Sequence, residues 1–524
     1  MIANNIILCG FMACGKSRVG AMLAQKLGLA LYDLDSLIEQ EQQQSIKEIF
    51  ARKGELYFRS LELQMLKKLA NLKNSIIVCG GGTPTFFESL TILQALGELF
   101  FLDASFALIS KRLKKSTKRP LGMHNSQEEN LRLKNLYTFR RPLYMNFSHT
   151  IDVNHEDKEQ TCLEIIDRYD SLKKISHLKT IKVQSTQRNY PIFIREKSIE
   201  KINEIIMALG FRNYKKIIVS SDNLAITLKS SIDQINKNDD AAIITIRDGE
   251  ENKNFTSIHH IHEQMFKQKC NRSTIILAVG GGNVGDVAGF AAATFMRGIP
   301  IIQIPSTLLA MVDSSVGGKT GIDTKFGKNL VGAFHNPHAV IIDSTILKTL
   351  PSEEYSCGMA EIIKHAIIGD AQLFEDLAAA PIESSLLIER AVRVKTEIVF
   401  ADPTEQNIRA CLNLGHTFAH ALEKITDYRL KHGQAVAIGL VLATQLSYNL
   451  GFLKSDFRPE LLTLLEKYHL PSALPKNIDK GELILAMSHD KKRDHQGLKF
   501  ILPHALGDVR QHYVDEQRVA QLLS

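Results

Sequence analysis

The sequence predicts an α/β protein built from more than one domain. Short aliphatic runs typical of buried strands alternate with helix-like segments, which favours parallel sheets. Two glycine-rich turns follow such strands, at residues 10–15 and 280–285, while the last third of the chain looks mainly helical. The chain has 524 residues, more than one ordinary core holds, so we expect two or three domains.

Composition and charge narrow the class of protein. Hydrophobic residues make up 44% of the chain and charged residues 23%, the proportions of a soluble globular protein. No apolar run approaches the ~18 residues that span a membrane, and the N-terminus lacks a signal-peptide pattern. The formal charge of +7 comes without a long basic block, so nucleic-acid binding is only weakly indicated. Seven dispersed cysteines without a C-x-x-C pair fit reduced thiols, and we expect a cytoplasmic location.

The first strand leads directly into a phosphate-binding motif. An apolar run precedes residues 10–17, which match G-x-x-x-x-G-K-[ST], and a helix-compatible run over residues 18–27 follows. In this context, backbone N–H groups at the helix N-terminus hold phosphates. Lys16 then reaches the terminal phosphates and the Ser17 hydroxyl ligates Mg²⁺, so we predict a nucleotide site.

Further polar clusters follow in the first third of the chain. Asp33 and Asp35 end a second predicted strand, and side-chain alternation places both carboxylates on the same side. Taken singly, each cluster fits an ordinary role as a helix cap, a surface arginine or a turn. The clusters are Asp33 with Asp35, Phe58 with Arg59, the triplet Gly80, Gly81 and Gly82, residues 118–121, and residues 140–144.

In this order and spacing, residues 1–172 resemble shikimate kinase, a P-loop kinase with a three-layer α/β fold. The resemblance implies phosphorylation of the 3-hydroxyl of shikimate by ATP with Mg²⁺. Asp35 would orient the diol and accept its proton, Asp33 would act on Mg²⁺ through water, and Arg119 would close over the transferring phosphate. Cys14 departs from the usual small or glycine-like residue, but it is small enough to leave the loop intact. The implied nucleotide-binding residues are Gly10, Ala13, Cys14, Gly15, Lys16, Ser17 and Arg119; the implied substrate-binding residues are Asp35, Arg59, Gly81, Gly82 and Arg140; Asp35, Lys16 and Arg119 are the implied catalytic groups.

A predicted helix at residues 156–169 ends the first domain, and a polar linker follows at residues 173–179. The composition of the linker fits a helix as well as a loose segment. A new α/β pattern begins after it. Residues 216–220, 242–246 and 274–279 read as buried strands separated by helix-like segments, which indicates a parallel sheet. The glycine run after the third strand opens an apolar helix, an arrangement that holds a diphosphate. Alone it is weak evidence for a dinucleotide, because its glycine spacing differs from the ordinary fingerprint.

The segment 305–329 is the most polar-rich turn region of the chain. It combines lysines and glycines with Asp313 and Asn329 behind an apolar run. Glycines allow close backbone approach to a ligand, and lysines along such a loop face a polyanion as point charges. A solvated surface loop would explain a single Gly-Lys turn, but the motifs around this one favour an anion site.

The helical last third carries a candidate metal site. Glu361 lies one turn from Lys364 on one predicted helix, and His432 opens another. A helix predicted between them aligns four polar residues on one stripe, namely Arg409, Asn413, His416 and His420. Two imidazoles and a carboxylate with open positions form a catalytic zinc arrangement, which favours a metal over a hydrogen-bonded stripe. The residues alone leave open which of the three histidines is excluded.

Residues 180–524 resemble 3-dehydroquinate synthase along nearly their full length. The resemblance implies a Rossmann-like NAD-binding part over residues 180–345 and a mainly helical metal- and substrate-binding part over residues 346–524. The motifs that carry it stand at residues 248–253, 280–286, 296–298, 305–329, 358–364, 413–420, 432–433 and 490–492. Two departures stand out, because Asn283 replaces the more usual valine and Asp222 with Asn223 lack an intervening residue. We transfer no role to Asp222 and Asn223.

This second resemblance implies NAD⁺ and Zn²⁺ or Co²⁺ as cofactors. Around NAD⁺ would lie Asp248, Gly249, Glu250, Lys253, Gly282, Gly285, Asp286, Ser306, Thr307, Lys319, Lys328, Ile346, Leu347, Lys348 and Thr349. The metal ligands would be Glu361, His416 and His432. The sugar acid would be held by Asp313, Lys364, Lys395, Arg409, Asn413 and His420. The implied catalytic groups among these are Asp313, Lys364 and His420. The phosphate of the sugar acid would be held by Lys319, Asn329, His420 and Lys492 or Lys491. Arg297 is used across a subunit interface in the family, which implies a homodimer.

The two resemblances together imply a bifunctional enzyme of aromatic biosynthesis. The second part would convert 3-deoxy-D-arabino-heptulosonate 7-phosphate to 3-dehydroquinate and phosphate, regenerating NAD⁺ while the metal polarises the alcohol oxygen. Two other functions remain open from the sequence: a metal-dependent polyol dehydrogenase, and a degenerate kinase unit serving as a scaffold or nucleic-acid binder. The crowded cations argue against the first, and the intact loop and arginine motifs argue against the second.

Overall fold

The computed structural model describes residues 5–114, 127–147, 149–183, 185, 188–236, 241–402, 405, 407–476, 478–488 and 497–523. The chain divides into two compact units, one formed by Met1–His177 with Asn203–Arg212 and the other by Leu178–Ile202 with Asn213–Ser524. Over the described ranges, no helix is both long enough and apolar enough to cross a membrane. All seven cysteines are free thiols.

A parallel five-stranded sheet forms the centre of the first unit. Its strands are β1 (Ile6–Cys9), β2 (Ala30–Asp33), β3 (Ser75–Val78), β4 (Glu98–Asp103) and β5 (His149–Asp152). They lie in the order β2-β3-β1-β4-β5, and every pairing is parallel. The helices are α1 (Lys16–Leu27), α2 (Leu34–Gln42), α3 (Ile46–Lys68), α4 (Phe87–Leu96), α5 (Phe106–Lys114), α6 (Gln127–Phe147) and α7 (Lys158–Ile175).

Helices cover both faces of this sheet because successive residues of a strand point to opposite sides. Ile6 and Leu8 of β1 pack in one core with α1, α5, α6 and α7. Ile7 packs in the other core with α2, α3 and α4. Since both faces are buried, β1 reads as an unbroken apolar run. The predicted three-layer α/β unit is confirmed.

One predicted strand is shorter than expected. β2 ends at Asp33, whose side chain accepts a hydrogen bond from the backbone N of Ser36 (3.4 Å) and caps α2. Asp35 therefore lies in the first turn of α2, and the prediction that strand alternation aligns the two carboxylates is wrong. Aspartate favours helix N-caps because its carboxylate satisfies a free backbone N–H. This local preference ends the strand.

The second unit is built on a seven-stranded sheet. Its strands are β6 (Lys179–Val183), β7 (Tyr190–Ile194), β8 (Lys215–Ser221), β9 (Ala242–Ile246), β10 (Thr274–Gly280), β11 (Ile301–Pro305) and β14 (Ala339–Ile342). They lie in the order β6-β7-β14-β11-β10-β8-β9, with an antiparallel pair only between β6 and β7. Two hairpins accompany this sheet: β12 (Lys319–Thr324) with β13 (Gly327–Phe334), and β15 (Leu498–Ala505) with β16 (Asp508–Val514).

The later half of the second unit is mainly helical, as predicted, although the hairpin β15–β16 was not foreseen. One helix after α7, α8 (Ile202–Ala208), falls mainly in the first unit. The helices of the second unit are, in chain order, α9 (Asp222–Thr227), α10 (Lys229–Asn236), α11 (Phe255–Lys267), α12 (Gly282–Thr294), α13 (Ser352–Gly369), α14 (Ala371–Ala379), α15 (Ser384–Ala401), α16 (His416–Ile425), α17 (His432–Asn449), α18 (Arg458–Lys467), α19 (Lys480–Ser488) and α20 (Glu516–Leu523). Helices α11 and α12 pack on one face of the seven-stranded sheet.

The predicted helix over residues 409–420 is broken in two. A 3-10 helix, Ile408–Asn413, precedes α16, which begins at His416. Gly415 between them has a φ of 76°, and a Cβ on it would lie 2.9 Å from the backbone N of Leu440. Because the backbone turns at this glycine, the prediction that Arg409, Asn413, His416 and His420 form one helical stripe is wrong. Arg409 and Asn413 lie in the 3-10 helix, and the two histidines lie in α16.

Candidate functional sites

The loop between β1 and α1 closes around the ammonium group of Lys16. Lys16 is the first residue of α1, and its Nζ donates hydrogen bonds to the carbonyl oxygens of Gly10 (2.8 Å) and Phe11 (3.1 Å). Gly10 and Gly15 have φ values of 142° and 112°, which side chains with a Cβ rarely adopt. Ser17 follows in the first turn of the helix. The predicted phosphate loop is therefore formed, with backbone N–H groups of the helix N-terminus beside it.

The topology of the first sheet places the glycine triplet beside this loop. The chain leaves β1 toward β2 on one side and leaves β3 toward β4 on the other, so a crevice opens between the carboxyl ends of β1 and β3. A Cβ on Gly81 would lie 3.3 Å from the backbone N of Met12 in the loop. The Gly81 carbonyl accepts hydrogen bonds from Arg140 Nη1 (3.3 Å) and from the hydroxyl of Tyr144.

Arg59 and Arg140 converge on the same crevice. Arg59 packs against Gly82, where a side chain would collide with the guanidinium group. It pairs with Glu62 (2.5 Å) and with Glu55 (2.7 Å), and Glu55 also lies 3.8 Å from Arg140 Nη2. Burial lowers the pKa of Arg59, but the two carboxylates outweigh it and raise the pKa. Two guanidinium groups that share one carboxylate mark a site for an anionic group.

The two aspartates predicted to work together occupy different positions. Asp35 Oδ1 lies 2.9 Å from the point that a Cβ on Gly80 would take, so Asp35 faces the crevice. Asp33 is held at the N-terminus of α2 by its capping bond. Arg119 lies outside the described residues, as do Lys491 and Lys492.

Arg112 contacts the phosphate loop and was missed by the sequence reasoning. Its Nη1 donates hydrogen bonds to the carbonyl oxygens of Ala13 (3.3 Å) and Cys14 (2.8 Å). Both partners are predicted nucleotide-binding residues, so Arg112 holds the loop from outside and brings a positive charge to it. The sequence offers no signal for this, because Arg112 is one of several cations in α5. Arg112 is distinguished from the other cations of α5 only by its position in the folded structure.

The second sheet repeats the crevice geometry at its glycine run. The chain leaves β8 toward β9 and leaves β10 toward β11 on the opposite side, which opens a crevice between β8 and β10. A Cβ on Gly281 would lie 3.2 Å from Thr307, and one on Gly282 would lie 3.0 Å from Ser314 Oγ. The backbone N of Ser306 donates a hydrogen bond to the Gly280 carbonyl (2.9 Å). Ser306 and Thr307 thus adjoin the glycine turn, and their contact with NAD⁺ stays a prediction.

Hydrogen bonds tie the predicted dinucleotide motifs together. Buried Lys253 donates to Asp286 (2.7 Å) and to Asn329 (2.6 Å). Burial lowers the pKa of Lys253, but Asp286 and Glu250 outweigh it and raise the pKa. The amide of Asn283 donates to the Gly249 carbonyl (2.8 Å), so the residue that departs from the family pattern joins two of the motifs.

Three further groups lie at or beyond the carboxyl ends of strands in this sheet. The backbone N of Asn223 donates to Asp248 Oδ2 (2.9 Å), which gives Asn223 a structural role that the sequence did not assign. The predicted residues 346–349 lie in the 3-10 helix Ser344–Thr349 directly after β14. Gly285 accepts a hydrogen bond at its carbonyl from Gln303 Nε2 (3.1 Å).

Asp313 lies in a single π-helical turn, Ala310–Ser314, the kind of irregularity that is frequent at functional sites. Lys395 of α15 donates to Asp313 Oδ1 and to its carbonyl oxygen, both at 2.6 Å. Burial would raise the pKa of Asp313, but the ammonium groups of Lys395 and Lys364 hold it well below the usual value. Asp313 therefore remains ionised near neutral pH.

Three helices bring Glu361, His416 and His432 together. Glu361 belongs to α13, His416 starts α16 and His432 starts α17. The Nε2 atoms of His416 and His432 lie 3.7 and 3.4 Å from Glu361 Oε1, and one ligand atom from each residue falls within 4.8 Å of the others. Among the described groups that could hold a metal, the set with two imidazoles excludes His420, which is exposed. This set agrees with the ligands that the resemblance implies, and their role as ligands stays a prediction.

The chemistry of this set fits a zinc-type ion. Glu361 is fully buried: its Oε2 forms an ion pair with Lys364, while its Oε1 faces the two imidazoles and is the oxygen placed to ligate a metal ion. Burial lowers the pKa of His432, but Glu361 and Glu423 outweigh it and raise the pKa to about 10. A metal ion would displace the proton of His432, because a ligating imidazole is neutral. The donors of this set are two nitrogens and a carboxylate, a catalytic zinc donor set.

Glu423 was missed by the sequence reasoning. Its Oε1 lies 3.5 Å from His432 Nδ1, the ring nitrogen turned away from Glu361, and also 3.5 Å from Lys328 Nζ. A carboxylate in this position fixes the tautomer and the orientation of a ligating histidine. Lys328 lies 3.5 Å from Glu250 as well, so it links the metal site to the crevice side of the unit. Glu423 stands on the same helix as His416, and no motif marks it.

Glu405, a third residue missed by the sequence reasoning, contacts two of the predicted substrate-binding residues. Glu405 forms an ion pair with Lys319 and accepts a hydrogen bond from Asn413 (2.9 Å). Arg409 Nη2 donates to the Gly317 carbonyl (3.3 Å). Arg297 lies apart from this group, exposed in the 3-10 helix Phe295–Arg297 after α12.

The fold and the two sites define a chain that joins a P-loop kinase unit to an enzyme unit with a dinucleotide crevice and a candidate metal centre. The family model for shikimate kinase matches residues 12–170, and those for 3-dehydroquinate synthase N-terminal and C-terminal match residues 243–357 and 358–493. The chain belongs to the 3-dehydroquinate synthase family, and its first unit carries the shikimate kinase match. Both resemblances inferred from the sequence are confirmed.

Relatives and solved structures agree with this assignment. The chain is 41% identical over 347 residues to 3-dehydroquinate synthase of Prochlorococcus marinus (strain NATL2A), covering 63% of this chain and 93% of the relative. It is similar to the crystal structure of 2-deoxy-scyllo-inosose synthase complexed with carbaglucose-6-phosphate, NAD⁺ and Co²⁺ (TM-score 0.61, 25% identity, 66% of this chain and 99% of that chain). ValA, 2-epi-5-epi-valiolone synthase of Streptomyces hygroscopicus subsp. jinggangensis 5008, with NAD⁺ and Zn²⁺ bound, shares the fold (TM-score 0.58, 24% identity, 66% and 98% covered).

Proposed function

We propose that this chain converts 3-deoxy-D-arabino-heptulosonate 7-phosphate to 3-dehydroquinate and phosphate in one unit and phosphorylates shikimate with ATP in the other. The synthase assignment rests on one observation, the meeting of Glu361, His416 and His432 in the unit that also holds the Asp313–Lys395 pair. We propose residues 1–172 as the kinase, 173–179 as a linker, and 180–345 and 346–524 as the two parts of the synthase. The dispersed free thiols support a cytoplasmic location.

The kinase geometry supports phosphoryl transfer to a substrate that bears a carboxylate. The transferring group needs positioning and positive charge more than covalent help. Lys16 would meet the terminal phosphates, with Mg²⁺ held by the Ser17 hydroxyl and, through water, by Asp33. Arg59 and Arg140 would take the substrate carboxylate in place of Glu55. Asp35, beside the crevice, would orient the hydroxyl and accept its proton.

The synthase geometry supports elimination of phosphate from a sugar acid. When bound, NAD⁺ accepts and returns a hydride, and the metal ion polarises the alcohol oxygen. Glu361, His416 and His432 would hold the metal, and the crevice motifs would hold the dinucleotide.

Several cations of the same unit would bind the two anionic ends of the substrate. Lys395 and Arg409 would hold its carboxylate. The phosphate would be held by Lys319, Asn329, His420 and Lys492 or Lys491. Asp313 and Lys364 would place a carboxylate and an ammonium group at the reacting hydroxyl groups and C–H bond. Exposed Arg297 would reach the site of a second copy, so we also propose a homodimer.

Two assays on the purified chain test this proposal. The first measures phosphate released from 3-deoxy-D-arabino-heptulosonate 7-phosphate with Zn²⁺ and a catalytic amount of NAD⁺. The second measures shikimate 3-phosphate formed with Mg²⁺ and ATP. We expect both turnovers, and no net NADH in the first. Accumulation of NADH with a neutral polyol would instead identify a dehydrogenase, and absence of both turnovers would refute the proposal.

Replacing Glu423 by alanine should weaken metal binding. The substitution removes the carboxylate that orients His432 through Nδ1, and such outer contacts are worth about 10- to 100-fold in metal affinity. The zinc dissociation constant, measured by competition with a chromophoric chelator, should rise by that factor. The Glu423→Gln variant keeps an acceptor oxygen and should lose less. Unchanged zinc affinity in both variants would show that Glu423 does not orient the ligand.

Replacing Arg112 by alanine should raise the KM for ATP. Arg112 donates two hydrogen bonds to the phosphate loop, and charge-assisted bonds of this kind are worth enough to change binding about tenfold. Steady-state kinetics with varied ATP would measure the change. Lys111→Ala is the matched control, because Lys111 is an exposed neighbour that pairs with Glu156. A KM that is equal in the two variants would contradict a role for Arg112 in the loop.

A further inference from the structure

His365 is a buried histidine that the proposed mechanism does not use. It follows Lys364 on α13 and is 0% exposed. Neither ring nitrogen has a hydrogen-bond partner among the described residues. A buried donor or acceptor without a partner costs free energy, so native structures satisfy nearly all of them. The two ring nitrogens of His365 can therefore form a hydrogen bond with a group that comes within reach.

The charge state of His365 determines which kind of hydrogen bond each ring nitrogen can form. Burial, followed by the neighbouring Lys364 ammonium, lowers the pKa of His365 to about 3. The ring is neutral near pH 7, so one nitrogen is a donor and the other an acceptor. The nearest carboxylate is Asp313, whose Oδ1 lies 3.8 Å from His365 Nε2. A shift of less than one ångström would bring these atoms into hydrogen-bond range.

A second metal ion is not the missing partner. Asp313, Glu361 and His365 do place one ligand atom each within 4.8 Å of one another. However, Lys395 Nζ lies 2.6 Å from Asp313 Oδ1, so this carboxylate is already paired with an ammonium group. The ammonium group of Lys395 would repel a cation at Asp313. Asp313 is a carboxylate that lies close to hydrogen-bond range of His365 Nε2.

Lys395, which pairs with Asp313, would take part in two interactions during the proposed reaction. Lys395 holds Asp313 in the structure, and the same ammonium group would bind the carboxylate of the substrate. When Lys395 turns to the substrate, Asp313 loses its strongest neighbour while it is still needed for orientation. A partly buried carboxylate without a hydrogen bond is costly, and its position is poorly defined.

We propose that His365 is a positioning residue that donates a hydrogen bond from Nε2 to Asp313 when Lys395 turns to the substrate carboxylate. This inference rests on the proposed synthase function, because it needs a substrate carboxylate at Lys395. It explains why a neutral imidazole with no partner is kept next to the Asp313–Lys395 pair. It also predicts that the contribution of His365 appears after the substrate has bound.

Two variants matched in length test the proposal. His365→Gln keeps an N–H donor near the position of Nε2, whereas His365→Met has similar length and no donor. Phosphate release from 3-deoxy-D-arabino-heptulosonate 7-phosphate gives kcat and KM for each variant. We expect His365→Met to lower kcat by about tenfold or more, with KM changed less, on the scale of a lost hydrogen bond to a charged group. His365→Gln should retain kcat to within about threefold.

Three controls separate the outcomes. Zinc content and thermal unfolding report whether each variant is folded, and His365→Leu replaces His365→Met if the latter does not fold. A zinc-loaded apolar variant with wild-type kcat would overturn the proposal. Equal losses in the glutamine and apolar variants would show packing alone and would also overturn it. If the wild-type chain releases no phosphate, the proposed function fails instead, so the two failures are distinct.

Discussion

Replacing His416 by alanine is expected to abolish phosphate release by the synthase unit while shikimate phosphorylation continues at the wild-type rate. The substitution removes one of the three groups that meet at the candidate metal centre and leaves Glu361 and His432. Even contacts outside the ligand set change metal affinity by about 10- to 100-fold, so the loss of a ligand should exceed a hundredfold. Zinc content of the purified variant and its rate of phosphate release measure the effect.

His420→Ala is the matched control for this variant. His420 is on the same helix, its ring centroid lies 5.5 Å from that of His416, and it is exposed. We expect His420→Ala to keep its zinc and to lose activity through the substrate contacts alone. If His416→Ala retains zinc and His420→Ala loses it, the assignment of the ligands is wrong.

Replacing Lys16 by alanine should produce the opposite pattern, with shikimate phosphorylation lost and phosphate release retained. Lys16 is enclosed by the carbonyl oxygens of its own loop, where its ammonium group can follow the charge of the transferring phosphate. Removing one such charge-stabilising donor costs about 10² to 10³ in kcat. Steady-state phosphorylation of shikimate, measured at saturating ATP, reports this loss.

Lys26→Ala controls for charge on the same helix. Lys26 forms a surface ion pair with Glu159, and surface pairs of this kind contribute little. Its kinase activity should match that of the wild type. A Lys16→Ala variant that still phosphorylates shikimate at more than about a tenth of the wild-type rate would show that the loop does not hold the reacting phosphates.

The sequence was informative wherever local rules decide the structure. The run before residue 10 predicted β1, because a strand buried on both faces is apolar throughout. The glycine and lysine spacing of the first loop predicted a phosphate loop between a strand and a helix, where the structure has β1 and α1. The sequence indicated a carboxylate and histidines as candidate metal ligands, and the fold brings Glu361, His416 and His432 together.

The sequence was least informative where distant segments meet. Glu423 orients His432 only because α16 and α17 pack together, and Arg112 reaches the phosphate loop only through the packing of α5. Neither residue carries a local pattern that distinguishes it from a surface charge. The break at Gly415 was missed for a related reason, since the close approach of Leu440 that requires a glycine there comes from another helix. His365 reads as one more helical residue until its buried, unpaired nitrogens are seen.

The central claim is that one chain carries two separate active sites with different metal requirements. The most direct test measures both turnovers in a single preparation treated with a zinc-selective chelator in excess Mg²⁺. We predict that phosphate release stops, that shikimate phosphorylation continues, and that added Zn²⁺ restores the first activity. Loss of both activities together, or of neither, would contradict this account.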